Sequence, residues 1–201
     1  MTLSAAILAG GQARRYGGRD KGALVVDGRS IRERQIEELA AIAHDILIVG
    51  SPENLQSEGT GVRTVADRVP GCGPLGGVHT ALLETAGDAT IVVACDMPYI
   101  SGRLLRHLAA MAAGADAVVP RTDRGYHPLC AVYTRACVEP IARRLAERRL
   151  KMSDLFEDLR VRIVDAEELR SFGDVRRLLS NINTPADHQE LEALQGRQAS
   201  S

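Results

Sequence analysis

The stretch Ala5-Ala-Ile-Leu-Ala-Gly-Gly-Gln-Ala-Arg-Arg-Tyr-Gly-Gly-Arg-Asp-Lys21 narrows what this chain can fold into more than any other. It opens on small apolar residues, and a strand over about Ser4–Ala9, buried on both faces, is expected. The next twelve residues hold four glycines, three arginines and a lysine. In α/β proteins a strand that runs into a glycine-rich cationic loop brings backbone N–H groups up to phosphates. Gly10 and Gly11 leave no Cβ in the path of a ligand. Arg14, Arg15 and Lys21 can neutralise a polyphosphate, arginine as a planar fork and lysine as a point charge. The plain alternative is a surface turn with solvated charges. Two common phosphate motifs are excluded. Lys21 lies between Asp20 and Gly22 and is not followed by Ser or Thr, and Gly10-Gly11-Gln12-Ala13-Arg14-Arg15 does not spell G-x-G-x-x-G.

The whole chain bounds the answer. Its 201 residues suffice for one α/β domain. A net charge of −1 gives no electrostatic reason to expect nucleic acid or a membrane as the main partner. Cys72, Cys95, Cys130 and Cys137 form no C-x-x-C pair, which argues against a zinc or redox motif and suits reduced thiols in a cytoplasm. No stretch approaches about eighteen apolar residues, so no membrane span is expected. The basic residues follow the first apolar run instead of preceding it, so no signal peptide is expected either. A single nucleotide-handling domain over 1–195 and a disordered polar tail over 196–201 are the expected layout.

The pattern along the chain alternates strand and helix. Ala23–Gly28 reads as a short strand closed by an Asp-Gly turn. Ser30 and Glu33 form a capping box ahead of a helix striped by Ile31, Ile36, Leu39, Ile42 and Ala43. Asp45–Gly50 and Val62–Ala66 are strand candidates, and the second glycine cluster, 70–77, leads to an expected helix over Val78–Thr85. Ala89–Ala94 is a fully apolar strand, and Ser101 is expected to cap a helix carrying Leu104, Leu105, Leu108 and Met111. Asp116–Pro120 is a strand, Arg121–Gly125 a polar loop, and His127–Tyr133 a further strand. Ala136–Arg149 reads as a helix in which Pro140 marks a kink or a late start. Met152–Phe156 is a short helix and Val161–Val164 a strand. The alternation predicts an α/β fold with a doubly wound, mostly parallel sheet, Rossmann-like, whose ligands bind beyond the carboxyl ends of the strands. The first loop, Asp67 and Asp96 all fall at such ends.

Several residues carry chemistry or a plain structural duty. Asp96 ends an apolar strand; it can cap the next helix, or hold Mg²⁺ together with substrate phosphates, as Mg²⁺ is typically held. Gly73-Pro74-Leu75 opens a helix, where free N–H groups favour an anion or a base edge. His127 precedes a proline and reads as structural or as a substrate contact, with general-base catalysis the alternative. The run Arg143, Arg144, Arg148, Arg149 and Lys151 is either a solvated face or a rim that attracts an anionic substrate. Thr184, Pro185 and Asp187 are explained by helix capping. That leaves Asn181 and Asn183, which would share one face of a strand.

These segments also carry a resemblance. Leu8-Ala-Gly-Gly-x-x-x-Arg15-x-Gly17-Gly-x-Asp20-Lys21 resembles the signature loop of the molybdenum cofactor guanylyltransferases (MobA-type), with Tyr16 where that family has Met. Gly73-Pro-Leu-Gly-Gly77, Cys95-Asp-Met-Pro98, His127-Pro128 and Asn181-Ile-Asn-Thr-Pro-Ala-Asp187 follow in the family's order. The resemblance implies a Mg²⁺-dependent nucleotidyltransferase that joins GMP from GTP to molybdopterin, releasing pyrophosphate. It implies nucleotide contacts from Leu8, Ala9, Gly10, Gly11, Lys21, Asp67, Gly73, Pro74, Leu75 and Asp96. Arg15, Lys21 and Asp96 would be catalytic, with Asp96 on the metal, and His127, Asn181 and Asn183 would face the pterin. GTP and the molybdenum cofactor would be the substrates, with transient contact to proteins that supply or receive the cofactor. Val49 stands where guanylyl-transferring relatives carry Asn, which keeps a cytidylyltransferase of the same cofactor open. A sugar-1-phosphate nucleotidyltransferase and a non-catalytic cofactor-binding module are the remaining alternatives.

Overall fold

The computed structural model describes residues 1–9, 21–50, 61–182 and 187, with the backbone alone at Lys21. The apolar run Leu3–Leu8 forms β1. A 3-10 turn, Lys21–Ala23, leads to β2 (Val25–Val26), which pairs with β3 (Arg29–Ser30). The turn between them is Asp27-Gly28, with φ of 50° and 79°. Both central residues are left-handed, the geometry that suits the twist of a two-residue hairpin and selects Asp-Gly. Helix α1 (Ile31–Ala40) opens with both halves of the Ser30/Glu33 capping box.

β4 (Asp45–Gly50), β5 (Val62–Ala66), α2 (Gly73–Glu84), β6 (Ala89–Ala94) and α3 (Gly102–Ala110) follow. Then come β7 (Ala117–Thr122), β8 (Gly125–Tyr126), β9 (Cys130–Thr134), α4 (Val138–Ala146), α5 (Met152–Leu155) and β10 (Val161–Val164). Two one-turn helices, α6 (Ala166–Leu169) and α7 (Val175–Leu178), close the described part of the chain, each capped by the aspartate before it.

The sheet runs in the order β10-β7-β9-β6-β1-β4-β5. β1 is parallel to both β4 and β6, and β4 to β5, so the chain winds outward on one side of β1 and then crosses to its other side. That makes the β1/β6 boundary the topological switch point, where open α/β sheets form their ligand crevice. Only β9 on this path is reversed. Seven residues, 123–129, separate it from β7. A parallel neighbour needs a crossover of about a dozen or more residues, so β9 has to run antiparallel.

Alternate residues of β1 feed two cores. Ala5 and Ile7 pack with Leu39 of α1 and with Leu104, Leu105 and Leu108 of α3. Ala6 and Leu8 pack with Leu75, Val78 and Leu82 of α2 and with Ile141 of α4. Helices therefore cover both faces, as the doubly wound reading requires.

Several local expectations are corrected. Helix α2 begins at Gly73, five residues ahead of the expected start, so the end of the second glycine cluster is helix and not loop. Gly76 and Gly77 serve close packing there. A Cβ on Gly76 would lie 2.9 Å from the Val69 carbonyl oxygen, and one on Gly77 would lie 3.3 Å from Cδ1 of Leu8. The expected loop Arg121–Gly125 is a hairpin, with Arg121 opposite Tyr126. The strand expected from His127 starts only at Cys130, because His127–Leu129 form the turn into it. A 3-10 turn, Arg135–Cys137, precedes α4, so Pro140 falls in the first turn of the helix, where a missing N–H costs nothing. Ser101 is the N-cap of α3, yet its hydroxyl makes no cap bond; Glu38 accepts from the Gly102 N–H instead, at 2.5 Å.

Substituting Gly76→Ala should destabilise the protein by about 1–3 kcal/mol, because the new methyl meets fixed backbone. Chemical denaturation measures it, and an unchanged midpoint would refute the packing role.

Candidate functional site

The site grows from the β1/β6 pairing. Leu8 and Ala94 are register partners at the carboxyl ends of their strands. Just beyond them the Cys95 N–H donates to the Leu8 carbonyl at 3.1 Å, and the Ala9 N–H donates to Val49 at 2.7 Å. The chain at Leu8-Ala9 and the turn bearing Asp96 therefore lie side by side at the end of the sheet. Gly10, Gly11 and Arg15 lie outside the described residues, as does Asn183. Lys21 opens the 3-10 turn Lys21–Ala23.

Residues 94–97 form a tight turn closed by the Met97 N–H on the Ala94 carbonyl, 3.3 Å, with Asp96 half-buried at its tip. The C-terminal segment docks onto this turn. The Ile182 N–H donates to the Asp96 carbonyl at 2.8 Å, and the Asn181 side-chain amide donates to Asp96 Oδ1 at 2.7 Å. Asn181 is in no strand, so the expected pair of amides on one strand face is corrected. The reason lies in Ile182, which buries itself with Val26, Ile31 and Tyr99 and so pins the segment over the first hairpin. The amide of Asn181 then meets a carboxylate 85 positions away. Tyr99 was not singled out from the sequence; its position just after Pro98 was the available signal, and the Arg177 guanidinium covers its ring at 4.2 Å.

The second wall belongs to Asp67 and α2. The Asp67 N–H donates to Gly50 at 3.0 Å. Its Oδ1 accepts from the Val69 N–H (3.0 Å) and from the Thr80 hydroxyl (2.9 Å). Asp67 is thereby fixed against the first turns of α2, whose N-terminal partial positive charge favours it. Gly73 and Pro74 are exposed at that helix start, and no side chain caps it. Leu8 and Leu75 are buried, 5% and 0% exposed, and their side chains pack together in the core under α2. Val49 is buried as well, at 1%, and its side chain cannot read a base.

The basic run divides. Arg144 is fully buried, with its Nε 2.6 Å from Asp158, so the reading of the whole run as a solvated face fails at this residue. Arg143, Arg149 and Lys151 pair with Asp158, Glu147 and Asp154 at the surface. Arg148, at φ 58°, lies 3.7 Å from the Cys72 sulfur, beside the start of α2.

His127 sits apart from Asp96 in its hydrogen bonding. Its Nε2 is 2.9 Å from the Thr122 hydroxyl, and its backbone joins Pro120 and Cys130. Burial, helped by Arg124 and opposed by Asp123, holds its imidazole below the ordinary histidine range. The ring is therefore neutral at pH 7.

Among the described residues no group of three or more His, Cys, Asp or Glu side chains could hold a metal ion. A lone aspartate at a strand end does fit Mg²⁺ shared with substrate phosphates, since that ion keeps few protein ligands.

The chain matches the family model described as the MobA-like NTP transferase domain over residues 5–163. It is 36% identical over 181 residues to a probable molybdenum cofactor guanylyltransferase of Pelotomaculum thermopropionicum, covering 90% of this chain and 87% of that one. It is 31% identical over 188 residues to the molybdenum cofactor guanylyltransferase of Desulfosudis oleivorans, covering 93% of each. Among solved structures, molybdopterin-guanine dinucleotide biosynthesis protein A of Archaeoglobus fulgidus matches with a TM-score of 0.80 at 28% identity, over 96% of this chain and 99% of that one. The 4-diphosphocytidyl-2C-methyl-D-erythritol synthase of Anaerococcus prevotii matches with a TM-score of 0.71 over 97% and 96%; at 16% identity it shares the fold alone.

A histidine whose folded-state affinity for protons is depressed stabilises the fold less as pH drops below the unfolded value of about 6.5. His127→Gln should therefore flatten the fall in melting temperature between about pH 6.5 and 5. His79, held low first by burial and then by Arg68, keeps part of that fall. Parallel slopes for the two proteins would refute the assignment.

Proposed function

The chain belongs to the MobA-like NTP transferase family, and from that premise we propose that it transfers GMP from GTP to the molybdenum cofactor, yielding molybdopterin guanine dinucleotide and pyrophosphate. The observation that carries this reading is the convergence at the switch point. The strand that feeds the glycine-rich loop and the strand that delivers Asp96 are direct neighbours, and their register sets Leu8 beside Ala94.

The terminal phosphate of the pterin substrate attacks the α-phosphorus of GTP, and the bond to the leaving pyrophosphate breaks. Such a transfer needs positioning and charge neutralisation more than covalent help from the protein. In this proposal Gly10 and Gly11 offer backbone N–H donors to the phosphates, while Arg15 and Lys21 offset the charge on the transferred group and on pyrophosphate. Asp67 and the exposed start of α2 at Gly73-Pro74 form the nucleotide wall. Asp96 holds Mg²⁺ jointly with the nucleotide, and Asn181 orients its carboxylate. Mg²⁺ held there by Asp96 would supply positive charge to offset the negative charge that develops on the phosphates. The attacking phosphate is already anionic, so no general base is needed, in keeping with a neutral, hydrogen-bonded His127. His127, Asn181 and Asn183 remain the proposed pterin side.

The proposal treats 1–195 as one nucleotidyltransferase unit acting in the cytoplasm. All four cysteines are free thiols, and no helix among the described residues is long and apolar enough to cross a membrane. It also includes transient contact with proteins that supply or receive the cofactor, because the finished dinucleotide has to be handed on.

Pyrophosphate release with molybdenum-loaded molybdopterin should require Mg²⁺ and occur with GTP but not with CTP or ATP. Release with CTP would move the chain to cytidylyl transfer, and release with none of the three would favour a non-catalytic module. Asp96→Ala should lower turnover by about a hundredfold or more, the scale for losing a group that stabilises the transferring charge. GTP binding measured without Mg²⁺ should change by less than about threefold in the same variant. Unchanged turnover would overturn the metal assignment.

A further inference from the structure

Gln35 lies in the middle of α1 and is fully buried. It occupies the core-facing stripe, midway between Ile31 and Leu39 at i, i+4 and i+8, where a buried helix position ordinarily takes an apolar residue. Its amide nitrogen carries two hydrogens. One goes to the Ala94 carbonyl at 2.7 Å and the other to the Met97 carbonyl at 3.0 Å. These carbonyls belong to the two end residues of the turn whose tip is Asp96. Gln35 Oε1 is buried with no hydrogen-bond partner among the described residues.

That asymmetry separates a packing role from a positioning one. A buried acceptor without a partner is destabilising, so a glutamine kept only for packing is a poor choice beside Met or Leu of similar volume. What the glutamine supplies, and an apolar residue cannot, is a pair of donors that fix the ends of one four-residue turn. Apart from the turn's own Met97 N–H to Ala94 carbonyl bond, other restraints act on other atoms: Ala94 N–H on Leu129, Cys95 N–H on Leu8, Ile182 N–H on the Asp96 carbonyl, and Asn181 on the Asp96 side chain. Without Gln35 the turn stays tethered in the middle while its carbonyls at either end lose their link to α1.

We propose that Gln35 is a positioning residue for Asp96, setting the turn so that the carboxylate is presented to the metal–nucleotide complex. This inference rests on the metal role of Asp96 proposed above. A shift of about 1 Å in a reacting constellation costs on the order of a hundredfold in rate. Loss of two of several tethers should therefore cost roughly tenfold.

The test uses the full chain with Gln35→Met, which keeps length and volume and removes both donors, and with Leu39→Ala as a control that damages the same helix face. Gln35→Met should lower kcat roughly tenfold and raise the Mg²⁺ concentration for half-maximal rate by about fivefold. GTP affinity without Mg²⁺ should stay within about twofold, and Tm within a few degrees. Amide exchange at Cys95–Met97 should accelerate in the same variant. Leu39→Ala should lower Tm and leave the Mg²⁺ response of the folded protein unchanged. A wild-type Mg²⁺ response and exchange pattern in Gln35→Met would overturn the inference. So would failure of that variant to fold while Gln35→Asn folds with a wild-type response. Asp96→Ala, assayed in parallel, separates the two failures. If it too leaves turnover unchanged, the metal reading of Asp96 is at fault; if it abolishes turnover while Gln35→Met is silent, only the positioning role is lost.

Discussion

The hydrogen-bonded ladder between β1 and β6 is the constraint on which the remaining architecture depends. Because β1 is central and parallel to neighbours on both sides, its residues from Ser4 to Leu8 are buried whichever way they point, and all but Ser4 carry small or branched apolar side chains. The same centrality makes it the place where winding reverses, the position at which open α/β sheets form a crevice beyond the carboxyl ends of their strands. A ligand crevice follows from topology before any side chain is considered. What the side chains add is polarity: an aspartate from one strand end, a glycine-rich cationic stretch from the other.

The C-terminal segment completes that crevice by a different device. Ile182 is an apolar residue between two asparagines, and its burial with Val26, Ile31 and Tyr99 holds the segment in place. The polar contacts at Asp96 follow from that anchoring. A short hydrophobic plug thus orients a hydrogen bond to a carboxylate. Thr80 does comparable work for Asp67 from within α2.

Much of this was legible in the sequence, and the failures share a cause. The Asp27-Gly28 hairpin and the Ser30/Glu33 box were readable because their chemistry is local, fixed by backbone conformation over four residues. Strand β6 was readable because complete burial demands an unbroken apolar run. The start of α2 was not, since Gly76 and Gly77 look like loop residues until one sees the Val69 carbonyl and Leu8 packed against them. Arg144 looked solvated because nothing nearby in sequence announces Asp158 as the partner that lets it be buried. In the site, Asp96 stood out as a lone carboxylate closing an apolar strand, whereas its link to Asn181 depends on tertiary packing. Leu8 and Leu75 fall in motif positions, yet both belong to the buried core.

The bond from Asn181 to Asp96 spans 85 residues of chain. Ribosomes add about 5–20 residues per second, so the partner of Asp96 is synthesised roughly 4 to 17 s after Asp96 itself. During that interval the central strands β1, β4 and β6 are all available to pair, and a sheet can form around a crevice that still lacks one side. The framework strands are thus synthesised before the segment at Asn181-Ile182 that closes over the Asp96 turn.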